Sequence, residues 1–307
     1  MSRYDFKQQT MKRILLLSLS LGTILCLSFT SSRPKPTAKS ALKILKGFCE
    51  FVPSGDLIQG EDTTSIQSFY MSSGEITNFQ YLEFLYHLKK EGDTEKLAIA
   101  AVDTARWNSQ PEGFYQPMVD FYHKHPAYHN YPVVNISREA AQLYCDWLTE
   151  VYDSISGGQL SLKFRIPTHE EWLYAAQGNI PNSTYSWGGP FLRNSEGQSL
   201  ANYLGFGAEN ITRNPETGTF EVMPETMHFK EGEYMIVAPS KSYWPNTFGI
   251  YNLNGNVAEM VANGDVAVGG SWRSPGYDIR NVSTQKFENP SPEVGFRIVA
   301  TYIMPEK

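Results

Sequence analysis

Few side chains in this sequence are thiols, the type that carries out thiolate redox and copper chemistry. The cysteines are Cys26, Cys49 and Cys145, and no cysteine follows Cys145. In an apolar-periodic segment such as the one around Cys145, a cysteine most often packs as a small hydrophobic residue. A disulfide between Cys49 and Cys145 is open but not required, because a chain of this size can hold a core without one.

Histidines are the other candidate metal ligands. Of the six, His123, His125 and His129 lie close together in the sequence. A non-heme iron centre uses clustered imidazoles together with a carboxylate. Pro126 and the neighbouring tyrosines indicate a loop, so the pattern predicts solvated histidines more than a metal site.

The composition is that of a globular, loop-rich protein. Of 307 residues, 41% are hydrophobic and 13% aromatic, and there are 24 glycines and 18 prolines. This balance excludes coiled coils, collagen and wholesale disorder. The formal net charge of −6, without any basic run, argues against nucleic acid as a partner.

The N-terminus has the pattern of a targeting segment. Lys12 and Arg13 precede an apolar run from Ile14 to Phe29, which is shorter than the roughly 20 residues of a membrane-spanning helix. We therefore expect residues 1–32 to be a cleaved signal peptide and the mature protein to lie in the periplasm or outer envelope. An uncleaved anchor, or a lipoprotein modified at Cys26, is the alternative, and either would attach the chain to a membrane through this segment.

The elements that would position any site are short. Residues 33–47 are expected to be a linker and residues 48–303 a folded domain that opens with a hairpin-like pair of extended segments. Capping residues and apolar spacing predict three helices, beginning at Thr77 or Asn78, at about Ser137, and after Thr168. No fold is assigned to residues 91–131, and short strands and loops are expected after Tyr185.

Several phrases occur in an order that is similar to one known family. They are Val52–Gly55, Glu75–Asn78, Pro132–Ser137, Arg165–Trp172, Gly249–Glu259, Gly269–Trp272 and Gly295–Arg297. The chain resembles the formylglycine-generating enzyme (sulfatase-modifying factor) family over about residues 48–303. The resemblance implies a single α+β domain of the C-type-lectin-like kind, poor in regular structure and often stiffened by calcium.

The resemblance also implies where a redox centre would lie. Enzymes of the family bind copper through two cysteines shortly after the Gly-Gly-Ser motif, and the matching positions here are Ser274 and Ile279. Neither side chain can replace a copper-bound thiolate, so no copper is expected. Ser271 matches a serine near the active site of the enzymes and is expected to hydrogen-bond within a turn. Ile298 stands where the enzymes have the disulfide partner of the cysteine matching Cys145.

Calcium is the metal that the resemblance favours. One family site transfers onto the side chains of Asn252 and Glu259 and the carbonyl groups of Gly255 and Val257, which are hard oxygen ligands suited to Ca²⁺. The alternative is that Glu259 only caps this turn by hydrogen bonds. A second family site would begin at Asn202 and Tyr203 and close at an acid, Glu231 or Glu233.

Two functions from different classes follow. The first is a non-catalytic exported envelope protein that uses the domain as a protein-interaction scaffold. Residues 121–134 are similar to a stretch of gliding-motility and type IX secretion lipoproteins, which carry this domain without copper cysteines. The second is an oxidoreductase of the family with altered metal chemistry. Carbohydrate binding through exposed Trp187 or Trp244 is a third option.

Overall fold

The computed structural model describes residues 37–109, 116–205, 211–222 and 236–302. These residues belong to one compact unit that begins at Thr37. The predicted signal peptide, residues 1–32, lies outside the described residues. Within them, no helix is both long and apolar enough to cross a bilayer.

The domain begins earlier than the sequence indicates. Residues 33–47 were expected to be a linker, but helix α1 occupies Ala38–Leu45, and Thr37 caps it through a reciprocal pair with Ser40. Ala41 and Leu45, one helical turn apart, are fully buried in the main core. Those two apolar positions are enough to dock a short helix onto a core that lies elsewhere in the sequence.

Five further α-helices follow within the described residues. Their bounds are α2 Asn78–Glu91, α3 Thr94–Ile99, α4 Gln116–Phe121, α5 Arg138–Ser156 and α6 His169–Gln177. The three helices predicted from capping signals are confirmed as α2, α5 and α6. Thr77, Ser137 and Thr168 each accept a hydrogen bond from the third helical amide, which satisfies one of the free N–H groups at each helix start.

In the part of the chain that the structure describes, the strands form two small four-stranded sheets and two hairpins. The strands are β1 Cys49–Val52, β2 Gly55–Gln59, β3 Asp62–Ile66, β4 Phe69–Ser72, β5 Leu162–Arg165, β6 Ile211–Arg213, β7 Phe220–Val222, β8 Ala258–Met260, β9 Val266–Val268, β10 Thr284–Lys286, β11 Val294–Gly295 and β12 Val299–Tyr302. The first sheet has the order β1-β4-β12-β5 and the second β10-β9-β8-β11. The hairpin-like start is confirmed: β2 pairs with β3, and β1 and β4 pair outside them.

The main core lies between helices α1, α2 and α5 and the first sheet, and it includes Cys49 and Cys145. Both cysteines are free and buried, and burial raises the pKa of each thiol. They therefore pack as small hydrophobic residues. A second core cluster seats α6 against the strands around Val52, Val268 and Val299, so both sheets are anchored next to the Gly249–Glu259 segment.

Candidate functional site

The serine turn that follows Gly269 and Gly270 is closed by its own hydroxyl groups. The Ser271 amide donates to Ser274 Oγ over 2.9 Å, and Ser271 Oγ donates to Glu293 Oε2 over 3.1 Å. Ser271 is fully buried and Ser274 is 8% exposed. The structure therefore gives Ser271 the hydrogen-bonding role in a turn that the sequence predicted.

Ile279 lies in an apolar cluster. It is fully buried with Tyr185 and Ala201, and Trp187, Leu192 and Tyr203 pack against them. Gly270, at φ +66°, lets the backbone approach closely, since a Cβ there would lie 2.7 Å from Ile279 Cγ2. The two positions that would carry thiolates thus hold a hydrogen-bonded hydroxyl and a packed aliphatic side chain.

Aromatic side chains are exposed over this apolar cluster. Trp187 stacks on Tyr185 and donates its Nε1 hydrogen to the Phe191 carbonyl over 2.9 Å. Phe191 and Tyr277 are 75% and 69% exposed, and the Arg280 guanidinium lies 3.4 Å from the centre of the Tyr277 ring. We call Trp187, Phe191 and Tyr277 the aromatic surface.

A buried ion pair holds Glu259. Glu259 and Arg297 are 1% and 0% exposed, and the guanidinium donates from Nε and Nη2 to the two carboxylate oxygens over 2.5 Å each. Trp172 Nε1 donates to the same carboxylate over 2.6 Å. None of these partners belongs to the Asn252–Val257 turn, so the alternative in which Glu259 only caps that turn is wrong.

Arg297 also joins the two sheets. Its Nη1 group donates to the Ser72 carbonyl at the end of β4, and its Nη2 group donates to the Tyr251 carbonyl. Glu259 lies in β8 of the second sheet. One side chain therefore connects β4, the Tyr251–Asn252 turn and β8.

A second buried carboxylate lies beside this pair. Glu75 is 2% exposed and accepts hydrogen bonds from Asn256 Nδ2 over 2.8 Å and Asn252 Nδ2 over 3.2 Å. Burial, and then repulsion from Glu259, raise the pKa of Glu75 to about 8 against the opposing effect of Arg297. Arg297 therefore serves as the counter-charge of Glu259, and the raised pKa favours the neutral acid form of Glu75 at neutral pH.

Two residues of the first calcium prediction, Asn252 and Glu259, belong to this network. Asn252, at φ +54°, is 8% exposed, and its Oδ1 atom is buried without a hydrogen-bond partner. Gly255 is at φ +75°, and a Cβ there would lie 2.2 Å from the Asn202 carbonyl oxygen. An unpartnered amide oxygen beside a second acidic side chain is a hard oxygen ligand of the kind that Ca²⁺ binds.

The second calcium prediction is only partly within the described residues. Asn202 is 4% exposed and donates from Nδ2 to the Ile236 carbonyl over 2.7 Å and to Asn256 Oδ1 over 3.2 Å. Tyr203 packs against the Ile279 cluster. The candidate acids Glu231 and Glu233 lie outside the described residues.

The three clustered histidines do not come together as a metal site. His125 Nδ1 accepts from the Ala127 amide, and the His129 ring packs on Phe79. His123 is 6% exposed, so the expectation of three solvated histidines is wrong for this residue. Across the residues that the structure describes, no three His, Cys, Asp or Glu side chains are grouped as a metal centre would need.

Sequence reasoning missed Glu75, Trp172 and Arg297 as members of one site. All three lie in motifs that carry the family resemblance, but they are far apart in the chain. The available signal was an ionisable side chain within an otherwise apolar phrase, as in Val294–Ile298 around Arg297.

Comparison with known proteins decides the family. The family model described as the sulfatase-modifying factor enzyme 1-like domain matches residues 28–302. The chain belongs to this family. The α+β, loop-rich fold predicted from the motifs is confirmed with it.

Relatives of this sulfatase-modifying-factor chain include active and inactive proteins. It is 26% identical to the formylglycine-generating enzyme of Mus musculus over 225 residues, which is 65% of this chain and 50% of the mouse protein. It is 29% identical to the inactive Cα-formylglycine-generating enzyme 2 of Bos taurus over 134 residues, 43% of this chain and 33% of that one. The chain thus spans about half or less of the length of these relatives.

Solved structures similar to this sulfatase-modifying-factor chain include PvdO from Pseudomonas aeruginosa and CarF. PvdO is 17% identical with a TM-score of 0.49, and the match covers 81% of this chain and 92% of PvdO. CarF is 18% identical with a TM-score of 0.48, and the match covers 83% and 98%.

Proposed function

We propose that this sulfatase-modifying-factor protein is a non-catalytic, exported protein that uses the domain as a protein-interaction scaffold in the cell envelope. The observation that carries the proposal is the chemistry at the two copper positions. Ser274 is a hydrogen-bonded hydroxyl and Ile279 is packed among aromatic rings. The similarity to inactive relatives supports this proposal.

The presence of Ser274 and Ile279 at the two copper-binding positions removes the thiolate chemistry as well as the metal ligands. A soft Cu(I) ion is bound by deprotonated sulfur, and a serine hydroxyl is neither soft nor ionised at neutral pH. The two thiols elsewhere in the described residues, Cys49 and Cys145, are buried in the main core with raised pKa values. They are in no position to supply the missing pair.

The purified protein is expected to leave the cysteine of a sulfatase-type peptide unoxidised when Cu(I) and oxygen are supplied. The measurement is the loss of the peptide thiol and the gain of aldehyde by mass spectrometry, with a copper-dependent family enzyme as the positive control. Turnover comparable to that control would overturn the non-catalytic assignment.

The aromatic surface is our candidate for the interaction face. Trp187 packs on the cluster that contains Ile279. The two most exposed members, Phe191 and Tyr277, adjoin Leu192 and Gly276, which lie in contact. Exposed aromatic rings on a fixed loop framework provide large contact area at low entropic cost. Arg280, stacked on Tyr277, adds a positive charge that favours a partner with acidic residues.

The double substitution Phe191→Ser and Tyr277→Ser is expected to reduce partner capture in the native envelope at least tenfold, because aromatic anchors carry most of the energy of such interfaces. Crosslinking with quantitative mass spectrometry measures this. Tyr86→Ser is the matched control, since Tyr86 is 65% exposed but lies on α2. Equal capture by both variants would show that another face binds.

A narrower role in gliding motility or type IX secretion extends this proposal. It is supported by the similarity of residues 121–134 to the lipoproteins of those systems. Export through the N-terminal segment, with or without membrane attachment, is part of the same proposal.

We further propose that Ca²⁺ stabilises the scaffold at Asn252, Gly255, Val257 and Glu259. The support is the unpartnered Asn252 Oδ1 atom and the neighbouring Glu75 side chain, whose raised pKa a bound cation would lower. When bound, calcium would supply a fixed positive charge there. Glu259 would keep its bonds to Arg297, because each carboxylate oxygen has more than one lone pair.

Calcium is expected to raise the melting temperature by a few degrees, because a ligand bound only by the native state at about 100 times its Kd adds roughly 2.7 kcal/mol. Asn252→Gly should remove most of this shift, since glycine keeps the positive φ but lacks the amide oxygen. Asn179→Gly is the matched control, because Asn179 also has a positive φ of 64°. An unchanged melting temperature after addition of EDTA to the unmutated protein would exclude the site.

No observation favours the second candidate, an oxidoreductase with altered metal chemistry. It would need a redox metal, and the described residues bring together no group of His, Cys, Asp or Glu for one.

A further inference from the structure

A cavity of about 340 Å³ lies away from the serine turn, between helices α2 and α3 and the turn that contains His123. Leu82, Leu85, Leu97 and Val102 form much of its wall and are only half-buried. A cavity of about 150 Å³ holds benzene, and small-molecule sites begin near 300 Å³. This one is therefore large enough for a compound of about two rings.

Asn78, Thr104, His123 and Lys124 are polar residues that line the cavity. The tautomer of His123 follows from its neighbours. Asn78 donates from Nδ2 to the carbonyl groups of Tyr122 and Tyr128 over 3.0 and 3.1 Å, which fixes the amide with Oδ1 as the acceptor. His123 Nδ1 lies 3.1 Å from that oxygen. His123 Nδ1 must therefore carry the hydrogen, which leaves Nε2 with a lone pair.

The lone pair on Nε2 is not used within the described structure. The His123 side chain is 6% exposed and Nε2 is buried without a partner. Burial lowers the pKa of His123 to about 3, so the ring is neutral and Nε2 remains an acceptor at physiological pH. A buried acceptor without a partner is costly, and a donor reaching it from the cavity would remove that cost.

The remaining wall residues restrict the donor. Lys124 is exposed, and no aspartate or glutamate among the described residues lines the cavity, so a cationic amine would meet a like charge and no counter-charge there. A single imidazole is also too few ligands for a metal. A hydroxyl group on an apolar body satisfies both the lone pair and the leucine-lined wall.

We propose that this cavity binds a small, mainly apolar compound with a hydroxyl group, an alcohol or phenol, that donates to His123 Nε2. The site is separate from the aromatic surface and does not rest on the proposed scaffold function.

The experiment compares 2-naphthol with 2-methoxynaphthalene, which has nearly the same shape but no donor. The unmutated protein is expected to bind 2-naphthol at least tenfold more tightly, as measured by fluorescence titration. His123→Phe should reduce this preference to less than twofold, and Leu85→Trp, which fills the cavity, should weaken binding of both compounds at least tenfold. Absence of binding, equal affinity for the two compounds, or unchanged binding to the Leu85→Trp variant would overturn the proposal.

A measurement on the unmutated protein keeps the test decisive if His123→Phe does not fold. The ¹⁵N resonance of His123 Nε2 should move upfield when 2-naphthol is added, because accepting a hydrogen bond shifts an imidazole nitrogen in that direction. It should stay in place with 2-methoxynaphthalene. The same response to both compounds would show that the hydroxyl does not reach Nε2.

Discussion

Replacing Glu259 with alanine is expected to lower the free energy of unfolding by about 3–5 kcal/mol, because it leaves the fully buried Arg297 guanidinium without its counter-charge. The pair is bidentate with both side chains at most 1% exposed. Trp172 Nε1 loses its acceptor at the same time. Chemical denaturation in EDTA measures the change without a contribution from bound calcium.

Two controls distinguish the effect of leaving a buried charge unpaired from the effect of removing an acidic side chain in general. Glu288→Ala removes a partner of Lys286 in a pair whose side chains are 61% and 86% exposed, and such pairs contribute about 0–1 kcal/mol. The double variant Glu259→Ala with Arg297→Met should lose less than the sum of the single losses. A loss below about 1 kcal/mol for Glu259→Ala would contradict a buried pair.

The second large effect is a fall in the free energy of unfolding as the pH rises from 4.5 to about 8. In this range Glu75 is protonated in the folded protein and ionised in the unfolded protein. The folded pKa of about 8 lies above the ordinary 4.5, so between these values the native state binds more protons than the unfolded state. The free energy of unfolding therefore decreases from pH 4.5 to 8, by about 4 to 5 kcal/mol in all. Glu75→Gln, which cannot ionise, should lack this decrease.

The measurement is a pair of stability profiles, with and without the substitution, taken in EDTA. Their difference isolates Glu75 from Glu83, whose pKa burial also raises, to about 7. Parallel profiles would mean that Glu75 is ionised in the folded protein throughout this range.

Local signals in the sequence were sufficient for the helices but not for the network. Thr77, Ser137 and Thr168 cap helices through residues three positions away, so the evidence lies within a short segment. Glu75, Glu259 and Arg297 meet only because β4, β8 and the segment before β12 converge, and no short-range pattern encodes that meeting. The sequence did not predict helix α1, because its segment is basic and follows a proline. Its two buried apolar residues, Ala41 and Leu45, pack on a core formed by distant parts of the chain.

The site predictions show the same division. The turn role of Ser271, expected from the resemblance once the thiols are absent, needs only Ser274, which lies three positions away, and the structure has it. The burial of His123 was not predicted, because it depends on Asn78, which lies 45 positions away. The Asn252–Glu259 ligand set was transferred from the resemblance, and its surroundings depend on contacts with residues elsewhere in the chain.

The strand order of the first sheet affects the folding rate of the protein. Strand β12 lies between β4 and β5, so Met71 pairs with Val299 and Phe164 with Ala300. The first sheet is complete only when β12, near the end of the described chain, has paired with both β4 and β5. Closing such long loops before any pairing is gained makes folding slow. Until then β4, whose four residues are all buried in the finished fold, presents an apolar open edge to other chains. Aggregation during refolding is therefore a hazard that this topology carries.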